Sequence, residues 1–306
     1  MSVSEPVEPG VVTRCNVCGA VVPADRAPRF RKDGWDVVAC PTCGLLFRRE
    51  LPVAAEVRAI YADAYFRRPA ADRAGQGYLD YLADEELHRG AARRRLRLLR
   101  RHVQPGRLLD VGCAAGFFMD EARRAGWTVR GVDVSEAMAA HGRGTLGLEI
   151  ATGLFAPGTS FGGTVDCVTM WDYLEHSIDP RGDVDRARDL LPRGGLLALS
   201  TGDAGSLVAR LSGRRWHLLT PRHHNFYLSG RTLTMLLESA GFEVRYAGHP
   251  GARYSGRYLA HKLQTAAPGS RALATLAGRV DRSRAGALRV PVNLWDIVTV
   301  VARRVD

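Results

Sequence analysis

Two Cys-x-x-Cys-Gly units, Cys15-Asn-Val-Cys18-Gly19 and Cys40-Pro-Thr-Cys43-Gly44, lie 21 residues apart. Cysteine pairs at this spacing can close a tetrahedron of thiolates around Zn²⁺, and the glycine after each second cysteine suits the tight turn that aims backbone N–H groups at the sulfurs. Four unbonded core cysteines are the other reading; a repeated unit flanking a short β-like run, Trp35-Asp-Val-Val-Ala39, weighs against it. Four sulfurs leave no open coordination position, so zinc held by Cys15, Cys18, Cys40 and Cys43 is expected to be structural. Cys113 and Cys167 fall in a small-residue turn and an apolar run, where a buried thiol is ordinarily inert.

A second constellation begins at Leu108-Leu109-Asp110-Val111-Gly112-Cys113-Ala114-Ala115-Gly116, running into the helix-like Phe117-Phe-Met-Asp-Glu-Ala122. A small-residue turn between strand and helix lets a ligand approach the backbone, and the N–H groups of the new helix offer donors to an anionic or polar group. Asp133 ends the next strand-like run, 21 residues after Gly112, where an acid can accept both hydroxyls of a ribose. A dinucleotide fingerprint needs glycine at 112, 114 and 117; the chain has Gly112, Ala114 and Phe117. A different nucleoside ligand is therefore expected.

These residues need a scaffold, and from about residue 84 the chain alternates strand and helix periods as an α/β domain with a mainly parallel sheet does. Candidate strands are 107–111, 128–132, 148–151, 165–170, 195–200, 242–247 and 295–301, with helices at 117–125, 135–141, 184–191 and 231–240. The expected domains are a zinc ribbon over 1–50, an aromatic linker or lid over 51–83 containing Tyr61, Tyr65, Phe66, Tyr78 and Tyr81, and an α/β domain over 84–306. A Gly-, Arg- and Ala-rich stretch at about 250–292 reads as a helical insertion.

The glycine-rich turn resembles motif I of the class I S-adenosylmethionine-dependent methyltransferases, usually L-D-x-G-C-G-x-G, with Ala114 in place of the middle glycine. Residues 165–180, Leu190-Leu-Pro-Arg-Gly194-Gly195 and Gly241-Phe242 are similar to later elements of the same family, and the resemblance covers most of the chain. It implies a Rossmann-like seven-stranded sheet with the last strand antiparallel, preceded by the small four-cysteine zinc ribbon, and S-adenosylmethionine as cofactor. It also implies a cofactor site of Tyr65, Asp110, Gly112, Cys113, Ala114, Gly116, Phe117, Asp133, Val134, Trp171 and Asp172, with Asp110 orienting the methionine portion and Val134 against adenine. The ribbon, the Tyr65-Phe66…Gly77-Tyr78…Tyr81 linker and Trp216…Pro221-x-His223-His224-x-Phe226 look like a bacterial subgroup that often accompanies glycan, glycolipid or secondary-metabolite biosynthesis.

Methyl transfer to oxygen benefits from a base. His176 is the first candidate, because it follows the carboxyl end of the fourth strand, where open parallel sheets place their ligands. Asp172, Glu175 and His176 are spaced i, i+3, i+4, so a helical turn would gather them; the trio resembles the E-x-x-E-H segment that some quinone O-methyltransferases use around a divalent metal. Glu175 and His176 could equally serve only to fix the start of the next helix. His223 and His224, in a segment expected to pass over the pocket, are the second candidates for positioning or deprotonating an acceptor, and either could instead be a loop residue bonded to backbone. Trp216 reads as a pocket wall or packing anchor.

Composition, 46% hydrophobic and 25% charged over 306 residues, excludes disorder and fibres. No apolar run approaches the roughly 18–20 residues needed to cross a bilayer, and the first eight residues lack the pattern of a secretory signal; a cytoplasmic location is expected. Basic residues outnumber acidic ones 43 to 32. Lys32 and Lys262 are the two lysines and the rest are arginines, a bias that coding preference alone can produce.

The acceptor is expected to be a small molecule or a glycan- or lipid-linked intermediate, with oxygen as the methylated atom. The competing reading is an RNA methyltransferase gripping nucleic acid through the ribbon and the basic segment Arg89–Arg107. Against it, the chain has no N/D-P-P-Y/F/W tetrapeptide and no basic stripe interleaved with aromatics; a solvated helix face accounts for the arginines. A non-catalytic, zinc-dependent interaction protein is the third reading, opposed by the intact Asp110, Gly112, Gly116 and Asp133.

Overall fold

The computed structural model describes residues 10–61, 66, 80–156, 162–266 and 269–306. The cysteine segment forms three short strands, β1 (Phe30–Lys32), β2 (Trp35–Ala39) and β3 (Leu46–Arg48). β1 and β2 are joined by Asp33-Gly34, both at positive φ, the two-residue turn whose twist matches paired strands. Helix α1 (Ala54–Ile60) and the arginine-rich α2 (Glu85–Leu99) follow.

The main sheet then builds through β4 (Arg107–Val111), α3 (Phe117–Arg124), β5 (Thr128–Asp133), α4 (Glu136–Leu146), β6 (Ile150–Thr152), β7 (Cys167–Trp171), α5 (Pro180–Leu190) and β8 (Leu196–Gly202). After β8 come α6 (Leu207–Ser212), β9 (Phe226–Tyr227), α7 (Gly230–Ser239) and β10 (Phe242–Gly248). The inserted stretch contains β11 (Ala252–Ser255), α8 (Gly256–Ala266), α9 (Arg271–Asp281) and β12 (Arg289–Val292), and β13 (Ile297–Arg304) closes the fold. The seven strands lie in the order β10-β13-β8-β7-β4-β5-β6, with β13 antiparallel to both neighbours, as expected. The insertion is not purely helical: β11 and β12 pair antiparallel at its base.

Alternation along the strands sends side chains to two cores. Leu109, Val168, Met170, Leu197 and Leu199 pack with Val184 of α5 and Leu233, Leu236 and Leu237 of α7. Leu108, Cys167, Leu196 and Ala198 pack on the other face with Leu96 and Leu99 of α2 and Phe118 of α3. The first core continues into the ribbon through Cys15, Val17, Val38 and Phe47. β9 pairs with β3, Phe47 opposite Phe226, and so supplies the fourth strand of the ribbon's sheet.

Three of the five arginines of α2 are matched by acids. Arg89 is buried against Glu85, Asp120 and Glu121, Arg93 meets Glu86 and Glu121, and Arg95 meets Asp172 at 2.7 Å. Arg89, Arg93 and Arg95 of the basic segment are thus neutralised within the fold. Among the described residues, no helix is long and apolar enough to cross a membrane.

Candidate functional site

The four ribbon sulfurs lie within 4.8 Å of one another, with Cys15 and Cys43 Sγ 3.5 Å apart and Cys18 and Cys40 Sγ 3.6 Å apart. Tetrahedral sulfurs on Zn²⁺ stand about 3.8 Å apart, from a Zn–S bond of about 2.3 Å, so the residues present fit the metal. Gly19 and Gly44 N–H groups donate to the Cys15 and Cys40 carbonyls at 2.9 and 3.1 Å, closing matching turns. Burial pushes the Cys15 and Cys43 thiols up, whereas at Cys40 the backbone N–H groups of Cys43 and Thr42 outweigh burial and bring the thiol down to about 7. All four cysteines are free of disulfides.

A cavity of ≈ 610 Å³ opens at the carboxyl edge of β4, β5 and β7. Its wall takes Asp110, Gly112, Cys113, Ala114 and Phe117 from the first turn, Asp133 and Val134 from the second, and Trp171, Asp172 and His176 from the third. Gly116 caps α3 at φ 80 and packs toward Leu148, off that wall. Tyr65 lies outside the described residues. The turn is tight: a Cβ on Gly112 would sit 2.7 Å from the Tyr173 ring, and Ala114 holds the left-handed φ of 47 that a glycine would ordinarily supply.

Asp133 locks this turn to the next. Its Oδ2 accepts from the Ala114 N–H at 2.7 Å and its Oδ1 from the Ser135 N–H at 2.8 Å. A carboxylate has about four acceptor directions, so each oxygen keeps capacity for a ligand hydroxyl. Asp110 accepts from Thr169 Oγ1 at 2.6 Å; burial pushes its carboxyl up to about 7 despite that bond. Such a group is ready to ionise beside a cation.

Asp172 and His176 part company. No helical turn forms over 172–176; Asp172 takes φ 53 and turns to Arg95 Nη2 and to Ser200 Oγ. Glu175 and His176 instead lie near His224, one donor atom from each within 4.8 Å of the others. Glu175 Oε2 is buried without a hydrogen-bond partner, and burial, with the Asp172 charge adding to it, pushes this carboxyl up to about 8.

His176 Nδ1 lies 2.6 Å from Tyr61 Oη and 2.9 Å from the His223 carbonyl, and Tyr61 Oη donates to that same carbonyl at 3.0 Å. A carbonyl only accepts, so the proton sits on Nδ1 and Nε2 carries the lone pair. Burial lowers the His176 pKa. His223 and His224 stand behind the wall: His223 contributes its carbonyl, and the His224 ring meets the His176 ring edge-on at 4.7 Å. Trp216 is buried with its Nε1 donating to Asp296 at 2.9 Å, a packing anchor.

Tyr61, one of the aromatics expected in a linker or lid, also lines the cavity, as do Arg95 and His88, for which the sequence gives no role in the site. Tyr81 stacks on His88 at 4.0 Å and on Phe117 at 5.7 Å, so this wall is aromatic. Burial pushes His88 down to about 4.

The methyltransferase-domain family model matches residues 83–247, just over half of the chain. The ubiquinone biosynthesis O-methyltransferase of Dinoroseobacter shibae is 33% identical over 152 residues, 45% of this chain and 60% of that protein. Its counterpart in a Caulobacter species is 36% identical over 104 residues, 31% of this chain and 40% of that protein. The chain thus spans less than two thirds of the length of either relative. Among solved structures, magnesium protoporphyrin IX methyltransferase of Synechocystis aligns with a TM-score of 0.49 and 18% identity over 82% of this chain and 99% of that one. With the family match running from α2 through β10, and with β13 reversed at its place in the seven-stranded sheet, the chain belongs to the class I S-adenosylmethionine-dependent methyltransferases.

Proposed function

We propose that this protein transfers a methyl group from S-adenosylmethionine to an oxygen of a small-molecule acceptor, with His176 as the base. The observation that carries the reading is the pair of contacts on His176 Nδ1, with Tyr61 and with the His223 carbonyl: a carbonyl accepts, so the proton is assigned to Nδ1 and Nε2 is left to take a proton at the wall of the cavity. The relatives named O-methyltransferases support oxygen as the target. Among oxygen acceptors, a sugar- or lipid-linked hydroxyl is favoured by the resemblance of the ribbon, the aromatic linker and the Trp216…Phe226 segment to the bacterial subgroup that often accompanies glycan, glycolipid or secondary-metabolite biosynthesis.

When bound, S-adenosylmethionine supplies a methyl group activated by a sulfonium. Asp133 accepts the ribose hydroxyls with the lone pairs that the Ala114 and Ser135 N–H groups leave. Asp110 would ionise to hold the ammonium of the methionine portion, and Val134 would lie against adenine. Phe66, Tyr81, Phe117 and Trp171 exclude water from the wall, so the residues mainly align two reactants. His176 would take the proton of the acceptor hydroxyl on Nε2.

Calorimetry with S-adenosylmethionine tests the cofactor half, with Asp133→Ala expected to lose roughly 10–100-fold in affinity, the effect of one hydrogen bond to a charged group. Transfer of labelled methyl to hydroxylated lipid- or sugar-linked acceptors tests the other half. Failure of the wild-type chain to bind the cofactor would end the proposal, and methylation at full rate by His176→Ala would remove the base.

A further inference from the structure

The fold brings an unusual surface to the carboxyl edge of the sheet, the edge at which the cavity opens. Two segments leave that edge: the one after β8, carrying α6, and the insertion between β10 and β13. Between residues 204 and 237 there are five arginines and no acid, and between 250 and 295 there are eight basic residues against the single Asp281. The same two segments hold eight of the eleven large hydrophobic side chains that are exposed among the described residues.

Leu207 and Leu211, 71% and 79% exposed, lie one turn apart on α6, with exposed Arg210, Arg214 and Arg215 beside them. Helix α9 buries none of its residues and exposes Leu276 with Arg271 and Arg279. Trp295, 65% exposed, is held at φ 52, a conformation that costs a bulky residue energy. Its N–H donates to Asn293 Oδ1 at 2.9 Å, and Asn293 Nδ2 donates to the His249 carbonyl at 2.9 Å. These bonds hold the turn from which the exposed indole projects.

We propose that this edge docks onto an anionic phospholipid bilayer, the leucines and Trp295 entering the headgroup boundary and the arginines meeting lipid phosphates. Aliphatic side chains and a tryptophan among arginines match what interfacial binding requires: modest apolar insertion plus attraction to negative headgroups. RNA would instead call for stacking aromatics interleaved with the charge, and the exposed apolar groups here are, Trp295 aside, aliphatic. Docking of this kind is independent of the methyl-transfer reading and needs no cofactor.

Flotation of the full-length, zinc-loaded chain with vesicles tests it. Vesicles of phosphatidylcholine with about one third phosphatidylglycerol should retain the protein at least about tenfold better than phosphatidylcholine alone. The triple variant Leu207→Ser/Leu211→Ser/Trp295→Ser and the triple variant Arg279→Gln/Arg282→Gln/Arg284→Gln should each lose about tenfold of that binding while keeping the wild-type melting temperature and cofactor affinity, since all six side chains are exposed. Equal or no retention on the two vesicles would overturn the proposal. So would undiminished vesicle binding by the Leu/Trp variant, or a single-stranded RNA oligonucleotide displacing the protein from vesicles while the Leu/Trp variant binds that RNA as wild type does.

Discussion

Tyr61 Oη and His176 Nδ1 meet at 2.6 Å across 115 residues of sequence, tying a helix ahead of the family-matched region to the turn that follows β7. Both also engage the His223 carbonyl, so the imidazole is held from two sides. In Tyr61→Phe the carbonyl still fixes the tautomer, and we expect kcat to fall roughly tenfold with the cofactor KM unchanged, against about 10²–10⁴-fold for His176→Ala. Because burial lowers the His176 pKa, the neutral base persists at pH 7. Activity should fall only as pH drops below about 6.5; an acid limb displaced toward alkaline pH, and unmoved in the His176 variant, would contradict that role.

Asp110 makes cofactor affinity depend on pH. Burial raises this carboxyl to about 7, above its unfolded value, so its protonated form contributes stability at low pH that is lost as pH rises through about 7. Binding a cation needs the ionised form. Affinity for S-adenosylmethionine should therefore climb between about pH 5 and 7 and then level off, and Asp110→Asn should flatten the curve. Calorimetry across this range reads both.

The cofactor turn holds a conformational cost at Ala114, whose φ is 47. Ala114→Gly should relieve about 1 kcal/mol and raise Tm by about 2 °C, with cofactor affinity kept. Gly112→Ala should do the reverse, because its new Cβ would meet the Tyr173 ring at 2.7 Å. Thermal melts of the pair with and without cofactor distinguish a strained turn from a tolerant one.

Zinc removal should reach the cavity. Arg48 of β3 donates its N–H to the Asn225 carbonyl at 2.8 Å, and Asn225 Nδ2 donates to the His176 carbonyl at 2.9 Å. Loss of the metal through chelation or Cys40→Ser should lower Tm by several degrees, given that structural zinc contributes folding energy directly, and methyl transfer should decline in step with zinc content. A zinc-free chain with full activity would show the ribbon to be dispensable to catalysis.

Placement set by short-range spacing was legible in the sequence: the gathering of the four cysteines, the position of the Asp110–Gly116 turn and of Asp133 at the cavity, and the strand periods need only local pattern. Asp172 was misplaced because i, i+3, i+4 spacing assumes a helix, and its positive φ and its partner Arg95, 77 residues away, set another course. Tyr61 stood among the expected linker or lid aromatics, but nothing local pointed to its contact with His176, 115 residues away. The two-residue β9 is too short to show a period, and β11 and β12 lie in sequence rich in glycine and arginine, where tertiary pairing overrides propensity. The basic segment reads as a solvated helix face, and the burial of Arg89 was not legible there because its partners Asp120 and Glu121 sit on another helix.

The pairing of β3 with β9 also orders how the molecule is made. Arg48 and Asn225 are 177 residues apart, so a nascent ribbon leaves the ribosome with Phe47 lacking its partner strand until Phe226 has emerged. Contacts of such separation slow folding and leave an edge open to mispairing. Early metal capture by the two cysteine turns, each closed by local bonds, would hold the ribbon in register through that wait, giving zinc a task during synthesis as well as in the finished protein.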